Sequence, residues 1–136
     1  MSTATLGGEE VTLQAPDGLA VVYDISAAAS NSPFRAMWAS LGVCWPKPAN
    51  RAHRRAMDKS ESPWRPLKAT LAGAQYNAGT FGGLVFDELA ARGLSPDEIN
   101  GAAAVALDLV MDLLPDEEDD AEALAGNSEG PADSTS

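Results

Sequence analysis

Apolar and polar positions alternate along this chain in ways that name most of its elements before any other property is considered. The clearest run is residues 95–114. Ile99, Ala102, Ala103, Ala106, Leu109, Val110 and Leu113 recur at helical spacing, which gives a helix with one apolar stripe. Ser95 supplies the N-cap, Pro96 the first helical residue, and Glu98 completes a capping box three residues after the cap. Just before it, Leu84, Val85, Phe86 and Leu89 form an apolar face over 82–92. That helix ends at Gly93, a residue suited to the left-handed C-cap position. Two helices joined by Gly93-Leu94 should fold back as an antiparallel hairpin.

Upstream the pattern is shorter-ranged. Ser32 and Pro33 start a helix over 32–42 that places Phe34, Trp38 and Leu41 on one face and stops at Gly42. Leu67, Leu71 and Ala74 suggest another short helix at 67–75, with "NAGTFGG" read as an interruption and its glycines as a tight entry into the next helix. Near the start, Val11 and Leu13 alternate with Thr12 and Gln14. "APDG" then offers turn chemistry and Leu19 to Ile25 a second β-rich run, so a β hairpin is expected over about 9–25. The same stretch, "LAVVYDISAAAS", is also compatible with a helix start. The expected fold is mainly α with a small N-terminal β hairpin (α+β), a single domain over 1–115.

The remaining segments are set by charge. Residues 46–66 hold four prolines and few aliphatics, which reads as a basic loop-like connection, compatible with a short helical turn at "NRAHRRAMDK". Seven of the nine Lys and Arg lie between Lys47 and Lys68. Residues 116–136 hold eight of the twenty acids and no Lys or Arg, the composition of a disordered acidic tail. A formal net charge of -11 argues against the whole chain binding nucleic acid or an anionic membrane. No signal peptide or membrane span is legible, so a cytoplasmic protein is expected.

Candidate chemistry is sparse. One histidine, His53, and one cysteine, Cys44, exclude a disulfide framework and offer no metal-ligand spacing. His53 reads as a solvated loop residue and Cys44, beside Trp45, as a packing residue. "GTFGG" lacks the lysine and following hydroxyl of a phosphate loop, and "PDEEDDAE" lacks the alternating spacing of a calcium loop. No catalytic, cofactor-binding or metal-binding residue is therefore assigned. Phe34, Trp38, Leu41, Leu109, Val110 and Leu113 are the candidate partner-binding residues, each with a place in the core as the competing reading. Arg51, Arg54 and Arg55 are candidate charged contacts, since a helical "NRAHRRAMDK" would put them on one face.

Taken together, "SPFRAMWASLGVCWP", a basic linker and "NAGTFGGLVFDELAARGLSPDEINGAAAVALDLVMDLLP" with an acidic end resemble the tail assembly chaperones of long-tailed bacteriophages and prophages. Gly83, Val85, Asp87, Glu88, Leu89, Gly93, Ser95, Glu98, Ile99 and Ala102 carry most of the match, which covers roughly two-thirds of the chain. The resemblance implies a non-catalytic protein without cofactors, active in the host bacterial cytoplasm. It would coat the tape measure protein and recruit tail tube subunits during assembly, and homo-oligomers are compatible with it. Two other readings remain open: a virion structural subunit such as a head–tail connector, and an accessory protein that binds nucleic acid through the arginines.

Overall fold

Gly7 and Gly8 turn the chain first. The structure, a computed structural model, describes residues 2–114. The two glycines have φ of +57° and +84°, the pair of positive angles that a two-residue hairpin turn requires. They join β1 (Thr3–Leu6) to β2 (Glu9–Thr12) in antiparallel register, with Leu6 opposite Glu9 and Thr3 opposite Thr12. Ala4 and Leu6 point into the core while Thr3 and Thr5 face out, the period-2 alternation of a strand.

This corrects the hairpin expected over 9–25. The Gly-Gly turn sits upstream of "APDG", and the run after "APDG" is a helix, α1 (Leu19–Asn31). Its buried positions, Val22 and Ile25, are three apart, and the alanines that follow favour continuing a helix over pairing a strand. The alternative reading of "LAVVYDISAAAS" as a helix start is the one the structure takes.

Three helices follow their caps. In α2 (Pro33–Val43), Ser32 Oγ accepts from Arg35 N–H at 3.3 Å, with proline in the first turn. In α4 (Ala78–Ala91), Asn77 Oδ1 accepts from Thr80 N–H at 2.9 Å. In α5 (Pro96–Met111), the capping box of Ser95 and Glu98 is formed and Gly93, at φ +91°, makes the turn before it. Between α2 and α4 runs α3 (Arg51–Lys59), capped by Asn50. The segment 46–66, expected as a loop, thus holds a nine-residue helix. The expected helix at 67–75 is absent. Thr70 Oγ1 accepts from Gly73 N–H at 2.8 Å, and Gln75 and Tyr76 both take positive φ, so local bonds compete with helix formation and end in a turn. "NAGTFGG" is no interruption either: from Ala78 it forms the first turns of α4, four residues earlier than the expected start at 82. α5 ends at Met111, with Leu113 and Leu114 in a turn beyond it. The acidic tail at 116–136 lies outside the described residues.

α2 is the centre of the bundle, packed by α1, α4 and α5. It crosses α4 where Ala36, Ala39 and Gly42 of α2 meet Phe81 and Gly82 of α4, with the Phe81 ring against Gly42. A Cβ at Gly82 would lie 2.2 Å from the Arg35 carbonyl oxygen, so the two backbones meet where only glycine fits. β1 lies against α5. The link is polar as well as apolar, because Gly7 N–H donates to the Glu98 carboxylate at 3.0 Å. Glu98 therefore ties the hairpin turn to the α5 cap. Hydrogen bonds from Ser95 and Gly7 hold its carboxyl below the usual carboxylate range.

Candidate docking surfaces

The α2 face proposed from the sequence divides in two. Leu41 is fully enclosed in the core, but Phe34 is 54% exposed and Trp38 is half-buried. One turn apart, their rings lie 6.1 Å from centroid to centroid. Trp38 also packs on Phe86 of α4 at 4.4 Å, so three aromatic rings run in a row across two helices. The indole is fixed by its N–H, which donates to Asn100 Oδ1 of α5 at 2.8 Å. Aromatic rings at such separations attract one another beyond the area they bury. Phe86 was legible as part of an apolar helical face, but its place beside Trp38 needed the α2–α4 crossing.

The α5 candidates divide likewise. Val110 is fully buried and contributes to the core, while Leu109 and Leu113 are half-buried. At 1.5 Å per residue, Leu109 stands roughly 14 Å along the helix from Asn100, the residue that touches Trp38. The two sets do not form one patch. For Leu41 and Val110 the core reading is the one the structure gives.

The basic segment is held in an unexpected way. Trp45 and Trp64 are buried and packed on each other at 4.6 Å. Trp45 Nε1–H donates to the Arg65 carbonyl at 2.9 Å, and Trp64 Nε1–H donates to the Glu9 carbonyl at 2.8 Å. At the C-terminal end of α4, the C-cap Arg92 and Glu88 pair at 2.7 Å with side chains only 9% and 17% exposed. The Arg92 guanidinium donates to the carbonyls of Pro63, Arg65 and Pro66, while the Glu88 carboxylate accepts from the Lys68 and Ala69 N–H groups. Burial lowers the pKa of Arg92, and the adjacent Glu88 carboxylate opposes that shift. The pair is a clasp that fixes residues 63–69 against α4. Its i,i+4 spacing was visible in the sequence, but its long-range carbonyl partners were not.

Upstream of this fastened segment, α3 stands outside the core. It buries none of its residues and comes close to no other helix or strand. Arg51, Arg54 and Arg55 are all exposed, within an arc of about 100° at the helical 100° per residue, and Asp58 lies inside the same arc. His53 is exposed and its Nδ1 accepts from Ala49 N–H at 2.9 Å. Cys44 is enclosed at the C-cap of α2, where burial pushes its thiol pKa up to about 12, far from a reactive thiolate.

Among the described residues no three His, Cys, Asp or Glu side chains cluster closely enough to hold a metal ion. No described helix is long and apolar enough to cross a membrane. Comparisons with protein-family models, with curated proteins and with solved structures find no match to this chain.

Proposed function

We propose that the chain is a non-catalytic docking protein, and specifically a phage tail assembly chaperone that binds the tape measure protein and tail tube subunits while a tail is built in the bacterial cytoplasm. The observation that carries the docking reading is the row Phe34, Trp38 and Phe86. An exposed aromatic ring backed by two ordered neighbours is the kind of anchor that dominates protein interfaces, because little side-chain freedom is lost when it is covered. A long helical partner would lay an apolar stripe along such a row. The choice of that partner rests on the sequence resemblance, whose motif residues, from Gly83 through Ala102, span α4, the Gly93 turn and the capped start of α5.

The test is co-expression of the tagged chain with the tape measure and tail tube proteins of the same phage genome, beside mass spectrometry of purified particles. The proposal expects the tape measure protein in the captured complex and this chain missing from finished particles. Stoichiometric recovery from particles would instead make it a virion subunit.

A further inference from the structure

The Arg92–Glu88 clasp lines an open hollow of about 650 Å³ at the C-terminal end of α4. The other charged side chains around it come from separate stretches of chain: Arg54 and Asp58 from α3, Arg65 and Lys68 from the segment that follows. Four cations therefore share the hollow with two carboxylates. Glu88 is already spent, because its carboxylate accepts from the Arg92 guanidinium and from the Lys68 and Ala69 N–H groups. Arg92 is spent in turn on that carboxylate and on three backbone carbonyls. What remains is Arg54, Arg65 and Lys68 against Asp58, a surplus of two positive charges. Among the described residues none of these three cations forms an ion pair. The Arg65 guanidinium donates through Nη1 to the Ser62 carbonyl at 3.0 Å, which leaves most of its donors for something else. After burial, which lowers the Arg92 pKa, and Glu88, which opposes it, come a repulsion from Arg65 and a smaller attraction from Asp58, so both groups stand near the clasp.

We propose that this hollow binds a phosphate dianion, carried by a small monoester or free in solution, with Arg65, Lys68 and Arg54 holding its oxygens above the Arg92–Glu88 clasp. The charge fits: a phosphate monoester carries close to two negative charges near neutral pH, and the surplus around the hollow is two. A carboxylate would neutralise half of it. The chemistry fits as well, since guanidinium forks match phosphate oxygens in pairs and a lysine adds a point charge. The site is also formed in advance. The Arg65 carbonyl accepts from Trp45 Nε1–H and from Arg92 Nη1, both at 2.9 Å, which fixes the backbone from which the Arg65 side chain projects. Three like charges drawn together from α3 and the following segment repel one another, and a bound dianion relieves that repulsion. The volume lies within the range of small-molecule pockets and exceeds what a bare phosphate fills, so there is room for the organic part of an ester. The site is distinct from the Phe34 row and does not depend on that reading.

The full-length chain is titrated by isothermal calorimetry with phenyl phosphate and, separately, with inorganic phosphate, at about pH 7.5 and about 100 mM sodium chloride. The expected result is saturable binding with a Kd of about 1 mM or below for at least one of them. Tighter binding of phenyl phosphate assigns the hollow to an ester, and tighter binding of inorganic phosphate assigns it to the free ion. Affinity should fall about tenfold in Arg65→Gln and in Lys68→Gln proteins. Lys68 is exposed, so its variant keeps the fold, which circular dichroism verifies for both. Arg51→Gln removes the same charge from a part of α3 that does not line the hollow and should leave binding unchanged. Failure of both phosphates to saturate at about 10 mM overturns the proposal. So does benzoate binding as tightly as phenyl phosphate, indifference to both substitutions, an equal loss in Arg51→Gln, or tighter binding of a single-stranded oligonucleotide than of phenyl phosphate.

Discussion

The α2–α4–α5 bundle and the segment from Pro46 to Ala69 are both ordered, but for opposite physical reasons. The bundle is held by many small contacts. Alanines and glycines let the helix backbones approach, and the Phe81 ring fills the space over Gly42. The proline-rich segment buries few side chains and is held by a handful of large ones: two packed tryptophans and a charged clasp that satisfies the carbonyls of a chain without its own ladder. A region without regular structure can thus be as firmly placed as a helix, provided its polar groups find fixed partners.

That contrast can be broken experimentally, starting with the largest anchor. Trp64→Ala should cost about 4 kcal/mol in chemical denaturation, since it removes the largest fully buried side chain and a hydrogen bond to β2. A loss below about 1 kcal/mol would mean that the segment is not part of the folded core. In the bundle, Gly82→Ala should cost about 3 kcal/mol, because its Cβ would overlap the Arg35 carbonyl. Helix propensity alone favours alanine there by about 1 kcal/mol, so the sign of the change separates steric fit from propensity. Arg92→Ala should cost about 2 kcal/mol and leave the bundle folded, with faster hydrogen exchange confined to residues around 63–69 and β2. Equal acceleration along α5 would show that the clasp supports the whole molecule instead. The smallest effect has the opposite sign. Gly101 lies in α5 with open space around it, so Gly101→Ala should raise stability by about 0.5 to 1 kcal/mol.

The same contrast decides what could be read from the sequence. Where a short motif encodes its own hydrogen bonds, the reading held: Ser32-Pro33, Gly93 and the Ser95 capping box start or stop helices as expected. The hairpin moved because Gly7-Gly8, which no alternation of large apolar residues announces, is a better reversal than "APDG". The helix at 67–75 failed because Gly73 and the Thr70 hydroxyl favour a turn that no periodicity reveals. The candidate surfaces were legible as faces but not as exposures. Phe34 and Leu41 share a helical stripe, and only the angle at which α4 and α5 cross α2 leaves one outside and encloses the other. The clasp was out of reach, since Arg92 meets carbonyls more than twenty residues away.

The most direct test of the docking account is the binding of Phe34→Asp protein to the co-expressed tape measure protein, measured by size-exclusion co-elution beside the wild-type chain. Phe34 is more than half exposed, so the variant should keep the wild-type circular dichroism spectrum and denaturation midpoint. The account predicts that the wild-type chain co-elutes and the variant does not. A folded Phe34→Asp variant that co-elutes as fully as the wild type would contradict it, and the aromatic row would then be surface packing without a partner.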